Sequence, residues 1–278
     1  MNKNRFVFLL FLVSLITVLQ AQEPDNHQYF TSYDGVKIAF TDEGKGSPVL
    51  LLHGFINSGS SWNKTVLKRE LLERRYRVIV PDLRGNGHSD QPEAAEAYKN
   101  DAEVKDLVAL ADHLRLKHYI ALGYSRGSIV LAKLLTTEKR ITKSILGGMG
   151  ADFTNPNWDR RMAFADAFSG RAELTEMTEG AVQYAQSIGA NLKVLGLLQD
   201  YQPVTSKAAL SQIKIPVLIV CGDMDLDNGD PSTLKLLIPN STQKIVKGDH
   251  NNTYKQENFS QAVLHFISED WFELQGIH

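Results

Sequence analysis

The chain has 278 residues, of which 43% are apolar and 22% charged, and its formal net charge at pH 7 is −2. This apolar content is enough for a full core, which excludes a disordered tail or a collagen-like fibre. One cysteine, Cys221, allows no internal disulfide and no thiolate zinc site, and no basic run suggests nucleic acid binding. We therefore expect a small-molecule substrate and no metal.

The first 21 residues resemble a secretory signal peptide. Lys3 and Arg5 precede a largely apolar run from Phe6 to Leu19, and Ala21 offers a small residue at the cleavage point. The run is shorter than the roughly 18 to 20 residues that span a bilayer, so a retained membrane anchor is the weaker alternative. We expect a secreted or periplasmic protein, cleaved near Ala21, with no membrane span afterwards.

The next segments alternate between strand and helix patterns. Residues 36–40 alternate apolar and polar side chains, which is typical of a strand with one solvated face. Short continuous apolar runs predict strands buried on both faces at 49–52, 78–80, 119–122 and 217–220, and strands are also expected at 144–146 and 243–246. Helical spacing appears at 104–114, 129–135 and 262–267. The order predicts an α/β fold, a mostly parallel central sheet with helices on both faces.

One segment breaks this alternation. From Ala151 to Thr205 no strand pattern appears, and short amphipathic pieces carry many aromatic residues. We interpret residues 151–205 as a helical cap insertion over a core formed by residues 22–150 and 206–278. Some of its apolar side chains should pack the cap onto the sheet, and we expect Trp158, Phe164 and Phe168 to line a substrate pocket.

The clearest chemical motif is G-x-S-x-G, in Gly123-Tyr124-Ser125-Arg126-Gly127. It follows a predicted strand directly and precedes a predicted helix, which is the context of a nucleophile elbow. A sharp turn that exposes a strained serine needs small neighbours where backbone crosses backbone. Ser125 is therefore the candidate nucleophile, and a glycine-rich turn with an ordinary serine is the alternative.

A serine needs a base to take its proton, and in this architecture the acid and then the base follow the serine along the chain. Only three histidines come after Ser125. His265 falls within a helix pattern and His278 is the terminal residue, whereas His250 lies in a polar turn after a predicted strand. His250 is the candidate base.

The acid should lie at the carboxyl end of a strand, where ligands bind in such sheets. Asp225 and Asp227 both follow the predicted strand at 217–220, and Asp152 follows the strand at 144–146. We choose Asp225, with Asp227 second and Asp152 third. A turn or helix-capping role is the alternative for each.

The developing oxyanion requires two N–H donors. The backbone amides of Phe55, after the strand at 49–52, and of Arg126, after the nucleophile, are the natural pair. His53 is interpreted as a structural histidine. The segment from Asp82 to Ser89 lacks the spacing of a phosphate loop and is interpreted as a structural loop beside the site.

These ordered motifs resemble the α/β-hydrolase fold superfamily, in its serine hydrolase or esterase-like branch with a small helical cap. They are Pro48 to His53-Gly54-Phe55, Asp82-x-Arg84-Gly85-x-Gly87-x-Ser89, Gly123-x-Ser125-x-Gly127, Gly222-x-x-Asp225 and Gly248-Asp249-His250. The resemblance implies a Ser-His-Asp hydrolase that needs no cofactor. Two departures are Arg126, where relatives usually have an apolar residue, and Ser128, where a glycine often follows the elbow.

The expected function is an exported serine hydrolase that cleaves a small carboxylic ester through an acyl-enzyme, as a monomer or dimer. The alternatives are a lactonase or carbon-carbon bond hydrolase with the same triad, and a ligand-binding protein that no longer turns over. Arg126 is expected to form a structural ion pair, although recognition of a substrate carboxylate is its alternative role.

Overall fold

A computed structural model describes residues 26–225 and 227–268. The signal peptide expected at 1–21 and the terminal His278 lie outside these residues. The described part contains one eight-stranded sheet, in the order β1-β2-β4-β3-β5-β6-β7-β8. Its strands are β1 (Gln28–Thr31), β2 (Lys37–Glu43), β3 (Pro48–Leu52), β4 (Arg77–Pro81), β5 (Tyr119–Tyr124), β6 (Ile141–Gly147), β7 (Val217–Gly222) and β8 (Ser241–Val246).

The sheet is parallel from β4 to β8, and only β1 and β2 pair antiparallel with their neighbours. The central strands β5 and β7 are buried at every residue, which is why they appear in the sequence as continuous apolar runs. The predicted α/β class with a mostly parallel sheet is confirmed.

Helices cover both faces of this sheet. On one face, α1 (Val66–Glu73) and α9 (Glu257–Ser268) pack around a core that includes Leu67, Leu71 and Phe259. The other face is covered by four helices, α2 (Ala102–His113), α3 (Arg126–Leu134), α7 (Lys207–Leu210) and α8 (Pro231–Leu237). No helix in the described part of the chain is long and apolar enough to cross a membrane.

Between β6 and β7 the chain forms a separate helical layer. Its helices are α4 (Asp159–Phe168), α5 (Glu176–Ser187) and α6 (Leu192–Asp200). They share a small core of their own, into which Ile56 and Tyr98 project from the main body. This layer, called the cap below, occupies the segment where the sequence showed no strand pattern.

The loop from Asp82 to Ser89 is held by buried charges and hydrogen bonds. Arg84 is fully buried, and its guanidinium donates to the carboxylates of Asp34 and Asp106 at 2.6 to 3.0 Å. One carboxylate oxygen of Asp82 accepts a hydrogen bond from the amide of Gly59 at 2.6 Å. The other accepts from the amide of His88, which belongs to the same loop, at 2.7 Å. These contacts fit the structural role expected for this loop.

Candidate active site

Ser125 occupies a sharp turn between β5 and α3. Its backbone has φ 54° and ψ −124°, a conformation that a residue with a side chain adopts only at a cost of about 1 to 3 kcal/mol. The turn needs the two flanking glycines, because a Cβ at Gly123 would lie 2.3 Å from the Gly127 carbonyl oxygen. At Gly127, a Cβ would lie 2.6 Å from the Leu52 carbonyl oxygen. The strand-turn-helix context expected for Ser125 is present.

Ser128, which departs from the usual glycine, contributes to the same turn. Its hydroxyl lies 2.7 Å from the Gly123 carbonyl oxygen and 2.8 Å from that of Gly147, so it bridges β5 and β6. The amide of Ser125 also donates to the Gly147 oxygen at 2.8 Å. The side chain thus fastens the elbow to the sheet.

His250 lies in the turn after β8 and reaches the nucleophile. Its Nε2 is 2.8 Å from Ser125 Oγ, and its Nδ1 is 2.9 Å from both carboxylate oxygens of Asp225. Tyr124 donates its hydroxyl to the His250 carbonyl oxygen at 2.8 Å, which fixes the turn. Asp225 is only 7% exposed. The arrangement can take a proton from Ser125 and stabilise the imidazolium that results.

The other sequence candidates lie elsewhere. Asp227 is exposed at the cavity wall and forms no hydrogen bond to His250. Asp152 is exposed beside Gly229, and His265 is exposed on α9. Of the three aspartates considered, the structure brings only Asp225 to the imidazole.

One polar contact of His250 was not expected from the sequence. The side-chain nitrogen of the buried Asn228 lies 3.1 Å from Nδ1 and 3.2 Å from Nε2 of the ring. A group almost equidistant from both nitrogens must lie over the face of the imidazole, because an equivalent position in the ring plane would collide with Cε1. Asn228 therefore supports the ring from one face, a role that its position in a polar turn does not reveal.

The two residues expected to supply the oxyanion donors line the same cavity. The amides of Phe55 and Arg126 donate to no other group in the described residues, and both residues line the cavity above Ser125. Arg126 is the first residue of α3, where backbone N–H groups have no partner within the helix. The turn that carries Phe55 runs beside the nucleophile, since a Cβ on Gly54 would lie 3.3 Å from Ser125 Cβ.

His53 is held as a neutral, structural side chain. Its Nε2 accepts from the Leu83 amide at 3.0 Å, and its Nδ1 lies 2.8 Å from the Gly54 carbonyl oxygen. Burial lowers the pKa of the His53 imidazole and so favours this neutral form. The side chain joins the β3 turn to the loop after β4.

The cavity has a volume of about 570 Å³ and lies between the cap and the carboxyl ends of the strands. Trp158 and Phe164 line it, as expected, together with Met177 and Tyr184 of α5. Phe168 does not. It is buried in the core of the cap, where its ring packs edge-on against Phe55 with centroids 5.2 Å apart. The expectation that Phe168 lines the pocket is therefore wrong, because this residue, one helical turn beyond Phe164, is buried in the core of the cap.

Arg126 forms the structural ion pair that was expected. Its two Nη atoms lie 2.7 and 2.6 Å from the carboxylate oxygens of Glu103, and Nη2 also donates to the Leu198 carbonyl oxygen at 2.9 Å. Both charged groups are buried. Among the described residues, no group of three histidine, cysteine or acidic side chains could hold a metal ion.

Comparison with known proteins gives consistent matches. A family model of the alpha/beta hydrolase fold matches residues 47–157. A proposed non-heme chloroperoxidase from Synechocystis is 30% identical, over 84% of this chain and 95% of that protein. An esterase from Exiguobacterium antarcticum superposes with a TM-score of 0.72 at 22% identity, covering 87% of this chain and 99% of the esterase. A bromoperoxidase from Bacillus anthracis has a TM-score of 0.67 at 27% identity, covering 87% and 100%.

Proposed function

Since the chain belongs to the alpha/beta hydrolase family, we propose that it is a serine hydrolase that cleaves small carboxylic esters through an acyl-enzyme. The observation that carries the proposal is the continuous set of contacts from Ser125 Oγ through His250 to the carboxylate of Asp225. A strained serine joined to a base that is itself joined to a buried acid is the arrangement of an activated nucleophile.

The reaction follows from these positions. His250 Nε2 takes the Ser125 proton as Oγ attacks the ester carbonyl carbon, and the Asp225 carboxylate stabilises the imidazolium. The amides of Phe55 and Arg126 donate to the oxyanion. The tetrahedral intermediate then expels the alcohol, which receives the proton from His250, and a water molecule activated by His250 releases the acid and restores Ser125.

The names of two relatives favour a second acceptor for the same acyl-enzyme. The proteins from Synechocystis and Bacillus anthracis are described as a chloroperoxidase and a bromoperoxidase. If hydrogen peroxide replaces water in the second step, the same residues release a peracid instead of an acid. This candidate differs only in the deacylating nucleophile, so it needs no additional group in the site.

A fluorophosphonate probe tests the proposal. We expect the wild-type protein to be labelled and Ser125→Ala to be unlabelled while still folded. The control Ser211→Ala, whose exposed hydroxyl contacts only the Ala208 carbonyl oxygen and the Gln212 side chain, should be labelled normally. Absence of label on folded wild-type protein, or persistent label on Ser125→Ala, contradicts it. Aryl esters, lactones and peracid formation from hydrogen peroxide, measured in parallel, then identify the preferred reaction.

We further propose that the protein is exported. The positive residues Lys3 and Arg5 before the apolar run at 6–19 support this proposal. Expression of the full chain with its own N-terminus, followed by Edman sequencing of the mature protein outside the cytoplasm, should give a start near Gln22. Uncleaved protein that stays with the cytoplasmic fraction contradicts export.

A further inference from the structure

The cavity contains more positive charge than the proposed triad uses. The cavity is lined by Arg160, Arg161 and Lys255. Outside the triad, Asp227 is the one acidic residue among the lining residues that the structure describes. None of the three cations forms an ion pair in the part of the chain that the structure describes. Because the whole chain has a net charge of −2, this local excess is not a reflection of its average composition.

Arg161 is the least compensated of these cations. It is the third residue of α4 and is partly buried, and its Nη2 donates to the Pro156 carbonyl oxygen at 2.6 Å. Its buried Nε has no acceptor among the described residues. Burial lowers the pKa of the Arg161 guanidinium, and the charge of Asp200 opposes this only from beyond hydrogen-bonding distance. The side chain nevertheless remains a cation near neutral pH, since arginine does not deprotonate in proteins.

The neighbouring cations differ from Arg161. Arg160 stacks on Phe164, with the guanidinium carbon 5.0 Å from the ring centroid, and Lys255 lies 5.4 Å from the centroid of Tyr254. Both cations therefore have an aromatic ring that stabilises them electrostatically. Arg161 has none of this compensation.

A second donor without a partner lines the same cavity. Gln202, just after α6, is only 5% exposed, and its amide nitrogen has no acceptor in the described structure. A buried amide or guanidinium without an acceptor is unfavourable, and an anion that supplies one removes that cost. Arg126 also lines the cavity, and its buried Nε has no acceptor among the described residues either. Its charge, however, is already compensated by Glu103, whose carboxylate oxygens accept from both of its Nη groups.

We propose that the ester taken by this site carries a free carboxylate, which Arg161 binds with help from Gln202 while the scissile carbonyl lies at Ser125. The apolar walls at Trp158 and Phe164 would hold the hydrocarbon between the two ends. The planar guanidinium matches a carboxylate in geometry as well as charge. This inference names the substrate class of the proposed esterase and rests on that function.

Matched pairs of substrates test it. The acyl side is probed with 4-nitrophenyl hydrogen glutarate against its methyl ester, and the alcohol side with 4-carboxyphenyl butyrate against its methyl ester. We expect at least one anionic member to exceed its neutral partner in kcat/KM by about tenfold or more, which is the effect of one charge-assisted hydrogen bond. Equal or lower values for both anionic members overturn the inference.

Variants of the cap locate the effect. Arg161→Gln should remove most of the preference by lowering kcat/KM for the anionic substrate about 10- to 100-fold and that for the neutral partner far less. Lys193→Gln makes the same change of charge on α6 but outside the cavity, where Lys193 pairs with Glu93, and it should keep the preference. Equal losses for both members of a pair in Arg161→Gln contradict a carboxylate site.

Two further measurements do not depend on the folding of Arg161→Gln, and the second of them does not depend on turnover either. In the wild-type protein the preference should shrink as NaCl approaches about 1 M, where the screening length is about 3 Å. In Ser125→Ala, calorimetry should show binding of monomethyl glutarate and much weaker binding of dimethyl glutarate. Equal binding of the two overturns the inference. Fluorophosphonate labelling with no anion preference leaves the esterase proposal standing and removes this one alone.

Discussion

Asp225→Asn is the most informative single change in the proposed triad. The carboxylate places both oxygens 2.9 Å from His250 Nδ1, so the ring presents Nδ1–H to Asp225 and a free Nε2 lone pair to Ser125. An amide at this position can turn its NH₂ group towards Nδ1. The imidazole then carries its proton on Nε2, where it can no longer accept the proton of Ser125.

The expected loss in kcat is about 10⁴-fold, which corresponds to about 5.4 kcal/mol of transition-state free energy. Two effects contribute, namely the wrong tautomer in the ground state and the missing counter-charge for the imidazolium. The backbone of the site should remain in place, because asparagine has nearly the same shape and the pocket around Asp225 is closed. A change in KM should therefore be small compared with the change in kcat.

The assay is the initial rate of 4-nitrophenyl butyrate hydrolysis, with the folded fraction of each variant checked by circular dichroism. Asp227→Asn is the matched control, since it makes the same substitution two residues away on an exposed side chain, and its loss should be smaller by orders of magnitude. If Asp225→Asn keeps more than about a tenth of the wild-type kcat, or if Asp227→Asn loses as much, the assignment of the acid is refuted.

Predictions at three other residues follow from the structure. Ser125→Ala should lose about 1000-fold or more in kcat in the same assay, and retained turnover would exclude it as nucleophile. Burial raises the pKa of the Cys221 thiol to about 12, so at pH 8 the folded protein should not react with a thiol reagent that labels it fully in urea. Because the thiol holds its proton more tightly in the folded state, its contribution to the free energy of unfolding should be lost as the pH rises from about 9 towards 12. Arg84→Met leaves Asp106 buried without its partner and should lower the free energy of unfolding by about 3 to 5 kcal/mol in urea titrations, whereas exposed Arg69→Met should change it by less than about 0.5 kcal/mol.

The strands of the sheet could be predicted from sequence to the extent that both of their faces are buried. β3, β5 and β7 contain continuous apolar runs, and each is found where it was expected. β1 was missed because it is a four-residue edge strand in which only Phe30 is buried, so no periodicity can develop. β6 is longer than its apolar run, since it begins with three residues of mixed polarity.

The residues of the proposed site were accessible to sequence analysis for a related reason. Ser125, Asp225 and His250 each follow a recognisable strand, and parallel strands bring their carboxyl ends to one edge. The partners of these residues were not accessible in this way. The pairing of Arg126 with Glu103 depends on how α2 packs against α3, and the position of Asn228 over the imidazole depends on the path of one turn.

Arg126 also connects the proposed nucleophile to the cap. Its guanidinium bonds to the Leu198 carbonyl oxygen of α6, so lifting α6 would break a hydrogen bond made by a buried charged group, at a cost of about 1 to 3 kcal/mol. Helix α5 is less constrained, because Met177 and Tyr184 line the cavity and are still 51% and 52% exposed. We therefore expect the cap to open at α5 while α6 stays in place. Hydrogen exchange followed by mass spectrometry should show faster exchange of the α5 amides than of the α6 amides, and the opposite order would mean that the Arg126 contact does not hold the cap.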